Sequence, residues 1–291
     1  MVNKPPFLTV GPAPHWRTPY TLRKHHLALL LGLLPAIIAS AIAAPLGSGA
    51  LGTLGLLALG GSAGLLSEYA IQIILRQPYR AVDLHGLLMG IILALMLPPT
   101  IPWWVLFFGV FLAILVGKQI FGGLGGYPFH PAMIGLLILT ISWPHYVFPI
   151  GGTTLATASP TVLYLTLAGG LALALLGHIK VAVPLSMFAG VAIGALLLSD
   201  FSPHVGGPMV ELFQGHVLLA GFFILTDATS SPANRIPLIL FAFLGGFLTV
   251  LIRVFGIWPD AIPFAVALVN ILNPLLDRIH PSPKRMEVGH A

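Results

Sequence analysis

Residues 101–117 read IPWWVLFFGVFLAILVG, and this stretch contains no charged side chain. A helix that is apolar on every face is stable only when protein or lipid surrounds it on all sides. The rest of the chain has the same character: 57% of its 291 residues are hydrophobic, only 7% are charged, and the mean hydropathy is +0.98. Because soluble domains carry about 25% charged residues, a soluble fold is excluded and an all-α integral membrane protein is predicted.

Ten apolar runs of this kind are separated by junctions rich in proline and glycine. A helix needs about 20 apolar residues to cross roughly 30 Å of hydrocarbon, so we predict about ten transmembrane helices. The third and fifth runs are short and lie against prolines, which favours broken or re-entrant helices. The predicted organisation is a cytoplasmic segment 1–24, one transmembrane domain 25–280 and a cytoplasmic tail 281–291. The runs lie at about 26–44, 51–75, 85–98, 101–117, 132–143, 161–177, 181–199, 212–226, 236–252 and 261–276.

The basic residues indicate an orientation in the membrane. If the N-terminus is inside and the ten runs cross the membrane in alternating directions, all of the 13 lysines and arginines except Arg253 fall on the inner side. Since Lys and Arg accumulate in short cytoplasmic loops, both termini are predicted to be cytoplasmic.

The two halves of the chain resemble each other. Residues 87–92 (LLMGII) are similar to residues 218–223 (LLAGFF), and three further matches follow in the same order. Copies that lie five crossings apart enter the membrane from opposite sides. We therefore predict two inverted five-helix repeats, at about 25–145 and 160–278. Inverted repeats place binding sites near the middle of the membrane, beside interrupted helices, and are typical of transporters and channels.

Three carboxylates within or at the ends of apolar runs are candidates for an ion or proton path. Glu68 lies inside the second run, Asp83 precedes the third, and Asp227 follows the eighth. Charged groups are costly in a bilayer and mark functional sites there. For Asp83 and Asp227 an interfacial position is the alternative, since water or helix N-terminal amides satisfy a carboxylate there.

The chain contains no cysteine, which excludes disulfides, cysteine-ligated iron–sulfur clusters and thiolate nucleophiles. Any redox cofactor is therefore held by other groups or by a partner. The eleven histidines, among them His85, His130 and His216, lie at run ends or in the tails. We interpret them as interfacial rather than as haem ligands, and neither a metal site nor a catalytic residue is predicted.

Two loops have compositions that suit binding. Residues 122–131 (GGLGGYPFHP) are too rich in glycine for a helix and permit close backbone approach, as a re-entrant loop or an anion cradle requires. Residues 151–160 (GGTTLATASP) carry several hydroxyl side chains on the predicted outer face. These hydroxyls either bind a phosphate or belong to a simple solvated connection.

Several motifs together resemble one family of membrane proteins. They include residues 83–90 (DLHGLLMG), 117–125 (GKQIFGGLG) and 226–227 (TD). This pattern resembles the D subunit of Rnf electron-transport complexes and the related B subunit of sodium-pumping NADH:quinone reductases. Residues 14–17 (PHWR) are more similar to the D subunit, and the resemblance extends over nearly the whole chain.

The resemblance implies a ten-helix membrane subunit of a redox-driven ion pump in a bacterial or archaeal plasma membrane. It also implies an FMN joined by a phosphoester to a threonine, which here is Thr157, with Thr154 at a second motif position. Two positions depart from the motif, because its aspartate is Gly151 and its glycine is Leu155. A non-glycine residue forced to a positive φ costs about 1 kcal/mol or more, so retention of the flavin depends on the backbone at Leu155.

Partners follow from the same resemblance. A chain without cysteine and with at most one flavin cannot carry electrons far, so other membrane subunits and subunits bearing iron–sulfur clusters or flavins are expected, and nucleic acid is not. The principal hypothesis is electron transfer, through a covalent FMN if one is present, coupled to Na⁺ or H⁺ translocation. Two alternatives stay open: a flavin-free structural subunit of such a complex, and a small-solute channel, because the family fold resembles that of urea channels.

Overall fold

The computed structural model describes residues 21–43, 49–76, 83–149, 153–201, 206–258 and 260–279. These residues are helical and contain no β-strand, which confirms the predicted all-α class. Most of the predicted N-terminal segment, the predicted tail and Gly151 lie outside the described residues. The helices are α1 (Leu22–Ile42), α2 (Gly49–Ile74), α3 (His85–Leu95), α4 (Trp103–Gly117), α5 (Pro131–Ser142), α6 (Pro144–Val147), α7 (Pro160–Leu175), α8 (Ala182–Leu198), α9 (Pro208–Phe213), α10 (Val217–Leu219), α11 (Arg235–Phe255) and α12 (Ile262–Leu276).

Five of these helices are long and apolar enough to cross a membrane, and four shorter apolar helices accompany them. Large apolar side chains such as Leu175 and Leu196 are exposed on the outside of the bundle. A surface of this kind suits lipid rather than water. The structure is therefore that of a multi-pass membrane protein. The long helices are α1, α2 from Gly52, α4 with the turn that follows it, α11, and α12 with the turn that follows it.

The eighth apolar run, 212–226, is not one helix. The chain turns at Gly215, which has a φ of +59°, and the helix restarts as α10. It then continues as a π-helical segment, Ala220–Ile224, in which the Leu225 amide donates to the Ala220 carbonyl at 2.9 Å. π-helical turns of this kind are rare and frequently lie at functional sites.

Glycines bring the backbones of α2 and α3 into direct contact. A Cβ atom on Gly64 would lie 1.9 Å from the Gly86 carbonyl oxygen, and one on Gly90 would lie 2.0 Å from the Gly60 carbonyl oxygen. Contacts between small residues are the usual means of packing helices in lipid, where burial of apolar side chains gives little driving force. They hold the short helix α3 against α2 along its length.

A short helix and an interrupted helix run in opposite directions through the core. α3 begins at His85, and beyond its other end the Leu97 carbonyl accepts a hydrogen bond from the Leu155 amide at 3.0 Å. The α10 and π-helical segment begins beside His216 and leads to Asp227. Between the two ends the core is apolar and fully buried, and it includes Ile92, Leu93, Phe222 and Phe223. Each end of the bundle carries a cluster of polar side chains.

Candidate functional site

A buried ion pair forms the centre of one polar cluster. Lys118 follows the last turn of α4, and its Nζ lies 2.5 Å from Glu68 Oε1 of α2, with both side chains at most 2% exposed. Glu68 also accepts from the Gly86 amide at the start of α3, at 3.0 Å, and from Gln72 Nε2, at 3.2 Å. Both carboxylate oxygens therefore have donors, as a charge removed from water requires.

The ion pair continues into a chain of hydrogen bonds that ends at a second carboxylate. Lys118 Nζ lies 3.2 Å from His85 Nδ1, and His85 Nε2 lies 2.9 Å from the Tyr127 hydroxyl. That hydroxyl donates to Asp227 Oδ1 at 3.2 Å. If His85 carries its proton on Nε2, every donor in the chain meets an acceptor, and this assignment is inferred from the network. Glu68, His85, Lys118, Tyr127 and Asp227 are called the Glu68 cluster below.

Tyr127 is kept protonated within the Glu68 cluster. Burial raises the pKa of its hydroxyl well above the usual value, and the nearby Asp227 carboxylate raises it further. A neutral hydroxyl is the state that can donate to Asp227, whose other oxygen accepts from the Ser230 hydroxyl at 2.9 Å. Tyr127 thus joins the glycine-rich loop to the end of the π-helical segment.

The three carboxylates singled out from the sequence have different surroundings. Glu68 is buried and paired, and Asp227 is linked to it through the Glu68 cluster. Asp83 is half-buried, and its carbonyl oxygen lies 2.5 Å from His26 Nδ1, whose ring packs against His85. The fold therefore brings Glu68 and Asp227 into one network and places Asp83 at its edge. A role in ion or proton movement stays a prediction.

The imidazole ring of His130 lies near this network. The side chain is fully buried, and both ring nitrogens lack a hydrogen-bond partner among the described residues. Burial lowers the pKa of the imidazole to about 4, although the Asp227 carboxylate acts in the opposite direction. His130 is therefore neutral near pH 7.

The second polar cluster contains the threonine predicted to carry the flavin. Thr154 and Thr157 begin and end a 3-10 turn that precedes α7, and both are half-buried. Their hydroxyl oxygens are 2.8 Å apart, and Thr157 Oγ1 accepts from the Thr154 amide at 3.2 Å. Thr154 Oγ1 lies 2.8 Å from His216 Nε2, at the start of α10. The local turn thus holds both hydroxyls in a fixed order beside an imidazole.

The imidazole of His216 is held by a buried carboxylate. His216 Nδ1 contacts Asp260 Oδ2, and Asp260 also accepts from the Ile262 amide at the start of α12. Burial alone would raise the pKa of Asp260, but His216, Arg253 and the Ile262 amide outweigh it and hold that pKa below its ordinary value. Thr154, Thr157, His216 and Asp260 are called the Thr157 cluster below.

An ion pair lies beside the Thr157 cluster. Arg253 Nη1 is 2.6 Å from Glu211 Oε2, and the Glu211 side chain is fully buried. Arg253 Nη2 also donates to the Gln214 carbonyl at 2.9 Å. A Cβ atom on Gly215 would lie 2.9 Å from that Nη2 atom, so the glycine permits both the turn and the close approach of the guanidinium group.

Leu155 does not have the strained backbone that its place in the motif suggests. Of the described residues other than glycine, only Arg76 and Leu84 have a positive φ. The Leu155 side chain is buried in the core, and its amide bonds to Leu97. The glycine-to-leucine departure therefore carries no positive-φ penalty here.

The Thr157 cluster fits a flavin phosphoester in its donor set. Thr157 is half-buried in a 3-10 turn, and its hydroxyl contacts the Thr154 hydroxyl, which in turn contacts an imidazole that can accept a proton. Polar groups surround the ester position, while the apolar Leu155 and Ala156 point into the core. Thr157 Oγ1 would carry the phosphate, and the Thr154 side chain, which contacts that oxygen, would help to hold it in place.

Sequence reasoning missed three of the five members of the Glu68 cluster and two of the four members of the Thr157 cluster. His85, His130 and His216 are each at most 2% exposed, so they are buried within the protein. His216 and Asp260 lie 44 residues apart, and only the fold brings them together. One signal was available, since His85 and His216 differ by 131 residues, which is the offset of the repeated segments at 87–92 and 218–223.

Comparison with known proteins identifies related chains. A family profile described as the NQR2, RnfD, RnfE family matches residues 9–160 and 146–285. The D subunit of the ion-translocating oxidoreductase complex from Escherichia coli (strain K12) is 32% identical over 333 aligned positions, which cover 89% of this chain and 94% of the relative. The protein of the same name from Shigella boydii serotype 18 matches with the same identity and coverage.

Proposed function

Because the chain belongs to the NQR2, RnfD, RnfE family, we propose that it is a membrane subunit of a redox-driven complex that couples electron transfer to Na⁺ or H⁺ translocation. The observation that carries this proposal is the 32% identity, over 89% of the chain, to the D subunit of an ion-translocating oxidoreductase complex. The chain has no cysteine, so the other redox centres would belong to partner subunits that bear iron–sulfur clusters or flavins. We place the complex in a bacterial or archaeal plasma membrane.

We propose that Thr157 carries a covalent FMN, which would supply one- and two-electron redox chemistry at this end of the bundle. The 3-10 turn presents the Thr157 hydroxyl, and the Thr154 amide donates to its oxygen. His216 and Asp260 anchor Thr154 from the core side. These residues would fix the position of the ester.

We propose that the architecture is ten crossings in two inverted repeats. α4 packs against α5 and α2 in one half, and α11 packs against α12 and α8 in the other. Each half also holds a buried carboxylate paired with a basic side chain, and a histidine at the start of a short helical segment. The corresponding residues are Glu68 and Glu211, Lys118 and Arg253, and His85 and His216.

The Glu68 cluster is the proposed ion or proton path at the end of the bundle opposite Thr157. Its alternating donors and acceptors between Lys118 and Asp227 would allow a proton to pass through His85 and Tyr127. The carboxylates of Glu68 and Asp227 would bind the ion or proton at the two ends of this path, and Asp83 lies nearby. Ionisable groups buried in a membrane protein commonly have this role.

The flavin assignment is tested by replacing Thr157 with alanine. The wild-type chain, produced together with a flavin transferase, should give a denatured gel band that fluoresces under ultraviolet light. Thr157→Ala should abolish the signal, because the hydroxyl that forms the ester is lost. Thr153→Ala is the matched control and should retain it, since Thr153 is an exposed neighbour outside the hydroxyl pair. A wild-type band without fluorescence would refute the flavin and favour a flavin-free structural subunit.

The orientation is tested with single cysteines, since the native chain has none. We propose that both termini are cytoplasmic, which places Thr153 outside and Ala233 inside. Both residues are exposed. In intact cells, an impermeant maleimide should label Thr153→Cys, and it should label Ala233→Cys only after permeabilisation. The reverse pattern would contradict the orientation.

A further inference from the structure

We infer that His216 and Asp260 form a proton-accepting relay, acting through Thr154, which activates the Thr157 hydroxyl for its own modification. This inference rests on the proposed flavin site at Thr157, but it concerns how the ester forms rather than whether it is present. The geometry consists of an ordered series of contacts: Thr157 Oγ1 to Thr154 Oγ1 at 2.8 Å, Thr154 Oγ1 to His216 Nε2 at 2.8 Å, and His216 Nδ1 to Asp260 Oδ2.

The hydrogen bonds have one consistent direction. The Asp260 carboxylate accepts from His216 Nδ1, which leaves Nε2 free to accept from the Thr154 hydroxyl. The Thr154 hydroxyl then has room to accept from Thr157, whose oxygen accepts in turn from the Thr154 amide. The two hydroxyl protons thus point towards the imidazole. The same order of hydroxyl, imidazole and carboxylate activates the nucleophile in hydrolases, with one extra hydroxyl inserted here.

The burial of His216 and Asp260 supports a role for this pair beyond forming hydrogen bonds to the neighbouring threonines. Thr154 and Thr157 are half-buried and within reach of water, so neither needs a protein partner. His216 and Asp260 are at most 5% exposed, and burying such a pair costs free energy unless the groups serve each other. The pair lies directly behind the hydroxyls, where a proton acceptor for Thr157 is needed.

The reaction is a phosphoryl transfer from flavin adenine dinucleotide, presented by a flavin transferase. Thr157 Oγ1 attacks the flavin-side phosphorus, so that an O–P bond forms and the bond to the bridging oxygen breaks, releasing AMP. The Thr157 proton passes to Thr154, and the Thr154 proton passes to His216 Nε2. Asp260 stabilises the resulting imidazolium. The products are the flavin phosphoester, AMP and one proton, and nothing is oxidised or reduced.

The test measures covalent flavin incorporation into the purified full-length chain in lipid nanodiscs, with flavin adenine dinucleotide and a flavin transferase. Gel fluorescence and intact mass give kcat and the KM for the acceptor chain, independently of any activity of the assembled complex. His216→Gln should lower kcat about 100-fold or more, the usual contribution of a general base, while KM changes by less than about twofold. A residue that only shapes the loop would instead raise KM.

Variants at Thr154 test the relay with little risk to the fold. Thr154→Val removes the connecting hydroxyl and should lower kcat as His216→Gln does, whereas Thr154→Ser keeps the hydroxyl and should restore kcat to near the wild-type value. His145→Gln is the control, because His145 is exposed and lies outside the Thr157 cluster. The relay is overturned if His216→Gln and Thr154→Val keep the wild-type kcat or change KM alone. A wild-type chain that acquires no flavin refutes the flavin site as well, whereas normal rates in these variants refute only the relay.

Discussion

Lys118→Met is expected to cost about 3–5 kcal/mol in the free energy of unfolding, because it leaves Glu68 as an unpaired charge inside the protein. The Lys118 ammonium lies 2.5 Å from the carboxylate, and both side chains are almost fully buried. The remaining donors to Glu68, the Gly86 amide and Gln72, do not carry a full positive charge. Thermal or denaturant unfolding of the purified chain in detergent measures the loss, together with the yield of folded protein from membranes.

The double variant Glu68→Gln, Lys118→Met separates charge from packing. Replacing both partners of a buried ion pair is often neutral, so the double variant should recover most of the stability that Lys118→Met loses. A double-mutant cycle then gives the interaction between the two residues. Equal destabilisation of the single and the double variant would contradict a role for charge compensation and point to the packing of the lysine stem.

Acidification is expected to destabilise the protein through His130. Burial lowers the pKa of its imidazole from 6.5 to about 4 in the folded state, so the unfolded chain binds the proton first as the pH falls. The contribution of His130 to the free energy of unfolding is therefore complete above about pH 6.5. It falls by up to roughly 1.4 kcal/mol per pH unit down to about pH 4, about 3 kcal/mol in total. Unfolding measured at pH 7.5, 6, 5 and 4 follows this loss.

The comparison with His130→Leu isolates this contribution from other titrating groups. Leucine removes the ionisable ring and keeps an apolar side chain in the buried position. The wild-type chain should lose stability relative to the variant as the pH falls from 6.5 to 4. Parallel pH profiles for the two proteins would mean that His130 gains a partner, such as a bound water or a cofactor, that restores its ordinary affinity for protons.

The helical class and the apolar runs were predictable because lipid imposes a strong and local constraint on composition. Glu68 was found for the same reason, since a carboxylate inside an apolar run is expensive and therefore conspicuous. Lys118 escaped notice because it stands at the end of a run, where lysine usually extends to the interface. Its burial depends on α2 and α3, which the sequence of α4 does not specify.

The Thr157 cluster could be predicted only in part. The hydroxyl-rich loop and Thr157 itself were visible in the sequence, as a motif with two departures. His216 and Asp260 were not, because they come from the starts of two separate elements and meet the loop only in the folded protein. The break in the eighth run was equally hidden, since apolar composition does not specify whether a turn is α-helical or π-helical.

The glycine contacts between α2 and α3 have a mechanical consequence. Because carbonyl oxygens lie where Cβ atoms would otherwise be, any larger residue at Gly64 or Gly90 would force the two helices apart. The hydrogen bond from the Gly86 amide to Glu68 also joins the start of α3 to α2. The two helices therefore form one closely packed unit. The π-helical segment Ala220–Ile224 departs from the regular α-helical hydrogen-bond pattern, and we expect the bundle to bend there rather than between α2 and α3.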